Sequence, residues 1–177
     1  MKTIFLAAFT GLIFIGTSCD SKNESASAMN DKAQKNIVAS DAISKAFETG
    51  DVSKIDSFVS VEFIDHTDHG DKKGGDSLKT MIKYFYSNFK NTKAEKIREV
   101  ADGDLVWSWM HYTGTSVGSE AMAKGPYDLK GIEITKFKDG KAVEHWGFMD
   151  MQDMMKMMPP TDMSQMDNMK KDTLKMK

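Results

Sequence analysis

The sequence predicts a single α+β domain in which a curved antiparallel sheet wraps a layer of N-terminal helices. Three observations predict it. Apolar residues recur at helical intervals through the first half of the chain, and the period changes to alternation after Asn91. The stretch GIEITKFKDGKAVEHWGFMD, from Gly131 to Asp150, then reads as a β-hairpin turning at Asp139-Gly140. With 177 residues and 40% hydrophobic content, one core of ordinary size is expected. A formal net charge of -2 leaves no basic stripe, which sets nucleic-acid binding aside.

The chain opens with Lys2, an apolar run from Ile4 to Ile15, and the small residues Gly16-Thr17-Ser18 before Cys19. That is the layout of a secretory signal, and the run is too short for a comfortable membrane span. Because the one cysteine directly follows the small residues, the stretch resembles a bacterial lipoprotein signal, with Gly16 in place of the usual leucine. The resemblance implies loss of residues 1–18, lipidation of Cys19 and a membrane anchor in the bacterial cell envelope, on the periplasmic side or at the outer membrane. An ordinary secretory signal with a free thiol is the alternative. A lone cysteine forms no disulfide within the chain, so the fold must be held by its core. Residues 19–32, rich in Ser, Asn, Asp, Lys and Glu, read as a flexible tether, residues 33–158 as the domain and 159–177 as a disordered Met-rich tail.

Ile37, Ala39, Ala42, Ile43, Ala46 and Phe47 repeat at helical spacing and stop at Gly50, a favoured helix C-terminus. Asp51 is expected to cap a short second helix carrying Val52, Ile55, Phe58 and Val59, which leads into a loop, Asp65-His66-Thr67-Asp68-His69-Gly70. Asp76 or Ser77 would cap a third helix whose Leu78, Met81, Ile82, Phe85 and Phe89 form one stripe. Residues 93–100 and 105–116 read as strands around Asp102-Gly103-Asp104, with Trp107, Trp109, His111 and Thr113 on one face and Val106, Ser108, Met110 and Tyr112 on the other. A short helix over 149–158, stopped by Pro159-Pro160, would close the domain, with Asp150 as its N-cap.

Loop length fixes the register of the final hairpin. A two-residue loop alone would mix charged and apolar residues on each face. One extra residue, expected in a three-residue loop with Gly140 in the left-handed conformation, sets Ile132 opposite Phe148, Ile134 opposite Trp146 and Lys136 opposite Glu144. The other face then carries Glu133 opposite Gly147 and Thr135 opposite His145, a polar lining for a pocket.

The order of elements, with EFIDHTDHG, DGDLVWSWMHYTGT and FKDGKAVEHWGFMD, resembles the SnoaL-like polyketide cyclase group of the NTF2-like superfamily over roughly residues 33–158. The resemblance implies an NTF2-like cone with a pocket at its mouth. It also implies, for aldol-cyclising members, an acid/base aspartate on the last strand beside a histidine on the preceding one. Aligned through the DGK turn, that aspartate falls on Gly147 and that histidine on Glu133. Glycine has no proton to exchange, so the family's cyclase mechanism does not carry over.

Glu133 and His145 remain as candidate catalytic residues for proton transfer next to a carbonyl or for hydrolysis of a small substrate. Asp65, His66, Trp109, His111, Thr135, Phe137 and Gly147 are the expected pocket residues. Weighed against catalysis is a binding pocket in which Glu133 and His145 are merely hydrogen-bonded wall residues, and this is the favoured reading. The Asp65-to-His69 cluster matches no zinc signature and reads as a solvated rim. No cofactor is implied.

Ten of the 15 methionines lie from Met149 onward. Met151, Met154, Met155 and Met158 follow helical spacing and are expected to cover the pocket end. Met163, Met166 and Met169 continue through the polar tail, where thioethers could capture Cu(I), a second alternative. The expected partners are a small, partly apolar ligand, the membrane through Cys19, and a second copy of the chain docking on Ile132, Ile134, Trp146 and Phe148.

Overall fold

A computed structural model describes the backbone of residues 21–119 and 122–159, with side chains from residue 29 onward. The signal stretch, Cys19 and the tail methionines Met163, Met166 and Met169 lie outside the described residues. Among the described residues no helix is long and apolar enough to cross a membrane.

Helix α1 runs Ser21–Thr49, so most of the expected tether is its first part. Between Ser21 and Thr49 there is no proline or glycine, and alanine, lysine and glutamate propagate a helix that nothing interrupts. Its inward face buries Ala39 and Ala46. Gly50, at φ 71°, ends it by donating its N–H to the Ala46 carbonyl at 2.8 Å. Asp51 does not cap the short α2 (Ile55–Phe58). Its carboxylate instead accepts the Ser53 N–H at 2.9 Å, making a local turn. Helix α3 (Gly75–Asn88) starts after Gly74 at φ 88° with no side-chain cap, so neither Asp76 nor Ser77 has the expected role. It buries Leu78 and Ile82, and Phe89 already begins a strand.

Six strands form one sheet: β1 (Val59–His66), β2 (Lys72–Lys73), β3 (Phe89–Asp102), β4 (Leu105–Ser116), β5 (Gly125–Lys138) and β6 (Lys141–Met149). Their order is β2-β1-β6-β5-β4-β3. Neighbours are antiparallel except that β1 runs parallel to β6, so the sheet is mixed where antiparallel pairing throughout was expected. The fold class is the expected one, an α+β domain with helices against a curved, unclosed sheet. Strand β1 is the element that sequence reading mistook for helix end and loop. Its inward residues Val59, Phe63 and Asp65 are buried, and the residues between them are not.

The β5–β6 hairpin has the expected register: Ile132 pairs with Phe148, Glu133 with Gly147, Ile134 with Trp146, Thr135 with His145 and Lys136 with Glu144. The extra residue is elsewhere than expected. The turn is a two-residue one, with both Asp139 (φ 54°) and Gly140 (φ 77°) left-handed, and Lys138 pairs with Lys141. Pairing slips between Lys136 and Phe137, leaving Val143 as a bulge. A bulge and a longer loop shift the register equally, which is why the face assignment survives.

The inward face of the sheet carries Val106, Ser108, Met110 and Tyr112 of β4 together with Glu133, Thr135, Phe137 and His145. Val106 and Phe137, both 1% exposed, pack with Ile55, Phe63, Leu78 and Ile82 to close the narrow end. The outward face aligns Trp109, Ile132 and Phe148 in one row and Trp107, Ile134 and Trp146 in the next. Helix α4 (Met151–Met157) follows, with Asp150 as N-cap accepting the Gln152 and Asp153 N–H groups, as expected.

Candidate functional site

Between the inward sheet face and helices α1, α3 and α4 lies a cavity of about 270 Å³. This is near the lower end of the ~300–1,000 Å³ usual for ligand pockets. Its wall is a connected ring cluster: Phe85 stacks on Phe89 at 4.3 Å, Phe47 meets Phe85 edge-on at 5.7 Å, and Tyr127 meets Phe89 edge-on at 5.4 Å. Leu129 and the methionines Met122, Met149, Met154 and Met157 complete the apolar lining. Helix α4 therefore covers the cavity, through Met154 and Met157. Of the expected stripe only Met154 lines the cavity: Met155 and Met158 are off the lining, and Met151 is 63% exposed because the helix is rotated away from it.

Besides the Thr92–Tyr127 hydroxyl pair and serines on its wall, the cavity meets one cluster with charged groups, Glu133 and His145 on the lining with Asp65 behind, among the described residues. The Tyr112 hydroxyl donates to Glu133 Oε1 at 2.8 Å. Glu133 Oε2 lies 2.7 Å from His145 Nε2, and His145 Nδ1 lies 2.7 Å from Asp65 Oδ1. The β1–β6 pairing sets Asp65 directly beside His145, and the β5–β6 pairing sets Glu133 diagonally across from it. Burial alone would push the His145 pKa down. Its hydrogen bonds to Asp65 and Glu133, and their charges, outweigh that and raise it to about 9. The imidazole is therefore charged at neutral pH and donates from both nitrogens. Burial first, then the Glu133 charge and hydrogen bond, pushes the Tyr112 hydroxyl well above the usual phenol range, which fixes it as a donor.

The cluster gathers Glu133, His145 and Asp65 from the sequence-based candidates; Thr135 is on the lining, whereas Asp65 lies behind His145, and Gly147, exposed across from Glu133, is off the lining. A Cβ at Gly147 would lie 3.0 Å from Glu133 Oε2 and 3.6 Å from His145 Cε1. Glycine there leaves room for the Glu133–His145 contact.

Three expected pocket residues lie on the opposite side of the sheet. His66 follows Asp65 on a strand, so it points outward, where it stacks on Trp146 at 4.8 Å and bonds Asp71 at 2.9 Å. Trp109 is 45% exposed, and His111 reaches Asp128 at 2.9 Å on the same outer face. Phe137 faces inward but belongs to the packed core. Sequence reading chose the wrong face of β4 and so missed Tyr112 and Ser108. Only the pairing of Ser108 with Glu133 across β4–β5, whose partners share a face, identifies the inner side.

The fold recurs among solved structures. A proposed polyketide cyclase from Bacillus cereus ATCC 10987 is 26% identical, with TM-score 0.59, 70% of this chain and 79% of that chain covered. A SnoaL-like polyketide cyclase from Agrobacterium tumefaciens C58 is 12% identical, with TM-score 0.58 and coverages of 67% and 93%. A LEH-like epoxide hydrolase from M. tuberculosis is 16% identical, with TM-score 0.57 and coverages of 70% and 88%. No curated protein matches the chain. The sequence pattern of the SnoaL-like polyketide cyclase family matches residues 37–158, most of the chain. The chain, an α+β cone around a ligand cavity, belongs to the SnoaL-like polyketide cyclase family.

Proposed function

We propose that this SnoaL-like protein binds a small, mostly apolar molecule in the cavity, with the molecule's polar group held at Glu133, and does not run the family's aldol ring closure. The observation that carries this reading is a largely apolar chamber whose charged cluster stands beside Gly147, where the family resemblance puts an acid/base aspartate. On this reading Cys19 ties the protein to the bacterial envelope. The expected outcome is a retained organic ligand in native mass spectrometry of protein purified from its own envelope, and about tenfold less retention in Glu133→Ala. Wild-type protein that is reproducibly empty would count against it.

A second reading is favoured by the Asp65–His145–Glu133 chain of 2.7 Å contacts. Here the histidine is on the last strand and the carboxylate on the preceding one, a transposition of the pair implied by the resemblance. A carboxylate can accept about four hydrogen bonds. With two in use, Glu133 keeps capacity to take a proton from carbon next to a carbonyl, while Asp65 and His145 hold it in place. Deuterium uptake by a small cyclic ketone in D2O, followed by proton NMR, tests this. Uptake above the buffer rate should vanish in Glu133→Gln, whereas equal rates in both proteins leave binding alone.

The cluster also makes a stability prediction. The His145 pKa is raised on folding from 6.5 to about 9. Its contribution is therefore fully present below pH 6.5 and is lost as pH rises through 9, on the order of 3 kcal/mol. Urea midpoints should fall over that window, and His145→Asn should flatten the slope.

The outer sheet face supports a dimer. Trp107 (43%), Trp109 (45%) and Phe148 (56%) are exposed beside Ile132, forming a larger apolar surface than the four hairpin residues expected from sequence. Light scattering should give twice the chain mass at micromolar concentration, reduced to one by Trp109→Asp. A wild-type monomer would remove the proposal.

A further inference from the structure

The balance of charge at the cavity floor says more about the occupant than its apolar walls do. Asp65 and Glu133 flank a single imidazolium, so these three groups carry a net negative charge, with Glu133 the carboxylate that lines the cavity and Asp65 behind His145. Among the described residues lining the cavity there is no lysine or arginine. Two cations behind the walls are paired with acids, and Lys72, the strand partner of Asp65, is not on the cavity lining. Lys96, behind the lining residue Ser108, is bonded to both Asp41 and Glu99, and Glu99 in turn accepts the Ser108 hydroxyl at 3.0 Å. Lys45 on α1 is paired with Glu48 at 2.5 Å. An anionic ligand would meet only an imidazolium whose two N–H groups are already bonded to acids, with the Glu133 carboxylate beside it.

A protonated amine meets the opposite situation. Glu133 retains acceptor capacity beyond its bonds to Tyr112 and His145, and the Phe47–Phe85–Phe89–Tyr127 ring cluster offers electron-rich π systems alongside it. The thioethers of the lid add a polarizable, uncharged surface. We infer that the cavity is selective for a small lipophilic amine in its protonated form, the ammonium docking on Glu133 and the hydrocarbon part against the ring cluster. This rests on the reading of the cavity as a ligand site and adds the charge of the ligand to it.

Three near-isosteric probes separate the possibilities: 2-naphthylmethylamine, 2-naphthylmethanol and 2-naphthoate. Each is titrated into the full-length protein by calorimetry at neutral pH, and methionine-methyl NMR reports whether Met122, Met149, Met154 and Met157 sense it. The amine should bind at least fivefold more tightly than the alcohol, the carboxylate most weakly, and Glu133→Gln should erase the advantage of the amine over the alcohol. Carboxylate binding that matches the amine overturns the inference, as does an amine advantage that survives Glu133→Gln. If none of the three shifts the cavity methionines, the ligand-site reading falls and charge selection falls with it. If the alcohol alone binds well, only charge selection falls.

Discussion

One unpaired residue governs the functional half of this molecule. The bulge at Val143 lets β6 run on with Glu133 and His145 facing the same way, and with Ile134 and Trp146 facing the other. Without it, the strand above the turn would present His145 to solvent and Trp146 to the cavity. The parallel pairing with β1 then brings Asp65 alongside His145, so three ionisable groups from three strands converge through backbone register rather than loop placement. Sites built this way are rigid, because moving one member means breaking a ladder.

The hairpin was legible because its two faces differ in kind: Ile132, Ile134, Trp146 and Phe148 against Glu133, Thr135, His145 and Gly147. Strand β4 was not legible in the same way. Both its faces are apolar, Trp107 and Trp109 on one and Val106 and Met110 on the other, so hydrophobicity does not say which is inside. Partnership does, but the partnership of Ser108 with Glu133 depends on a connection through a loop of undetermined length. Strand β1 was hidden for a different reason. Its main partner is eighty residues away, and its sequence, VSVEFIDH, has polar residues on both sides of the alternation. Asp65 thus read as a loop residue, although the geometry makes it a buried strand residue bonded to His145.

The walls and floor of the cavity divide the work of recognition. Rings from α1, α3 and β3 and thioethers from β6 and α4 supply contact area without direction, and methionine adapts to shape at little cost. Direction comes from the Tyr112–Glu133–His145–Asp65 chain, in which each member is held by the next, so little ordering remains to be done when a ligand arrives. Helix α4 is fastened at both ends. Asp150 caps its start, and the Ala123 N–H donates to the Met157 carbonyl at 2.6 Å near its finish.

Gly147 has a further consequence, for the evolutionary paths open to this chain. A side chain at that position would begin 3.0 Å from a Glu133 oxygen, too close to leave the Glu133–His145 contact undisturbed. Aspartate there would also bring a third carboxylate against two existing ones. The two positions are therefore epistatic. Adding a side chain at Gly147 obliges the Glu133 carboxylate to give by a few tenths of an ångström, which loosens its contact with His145.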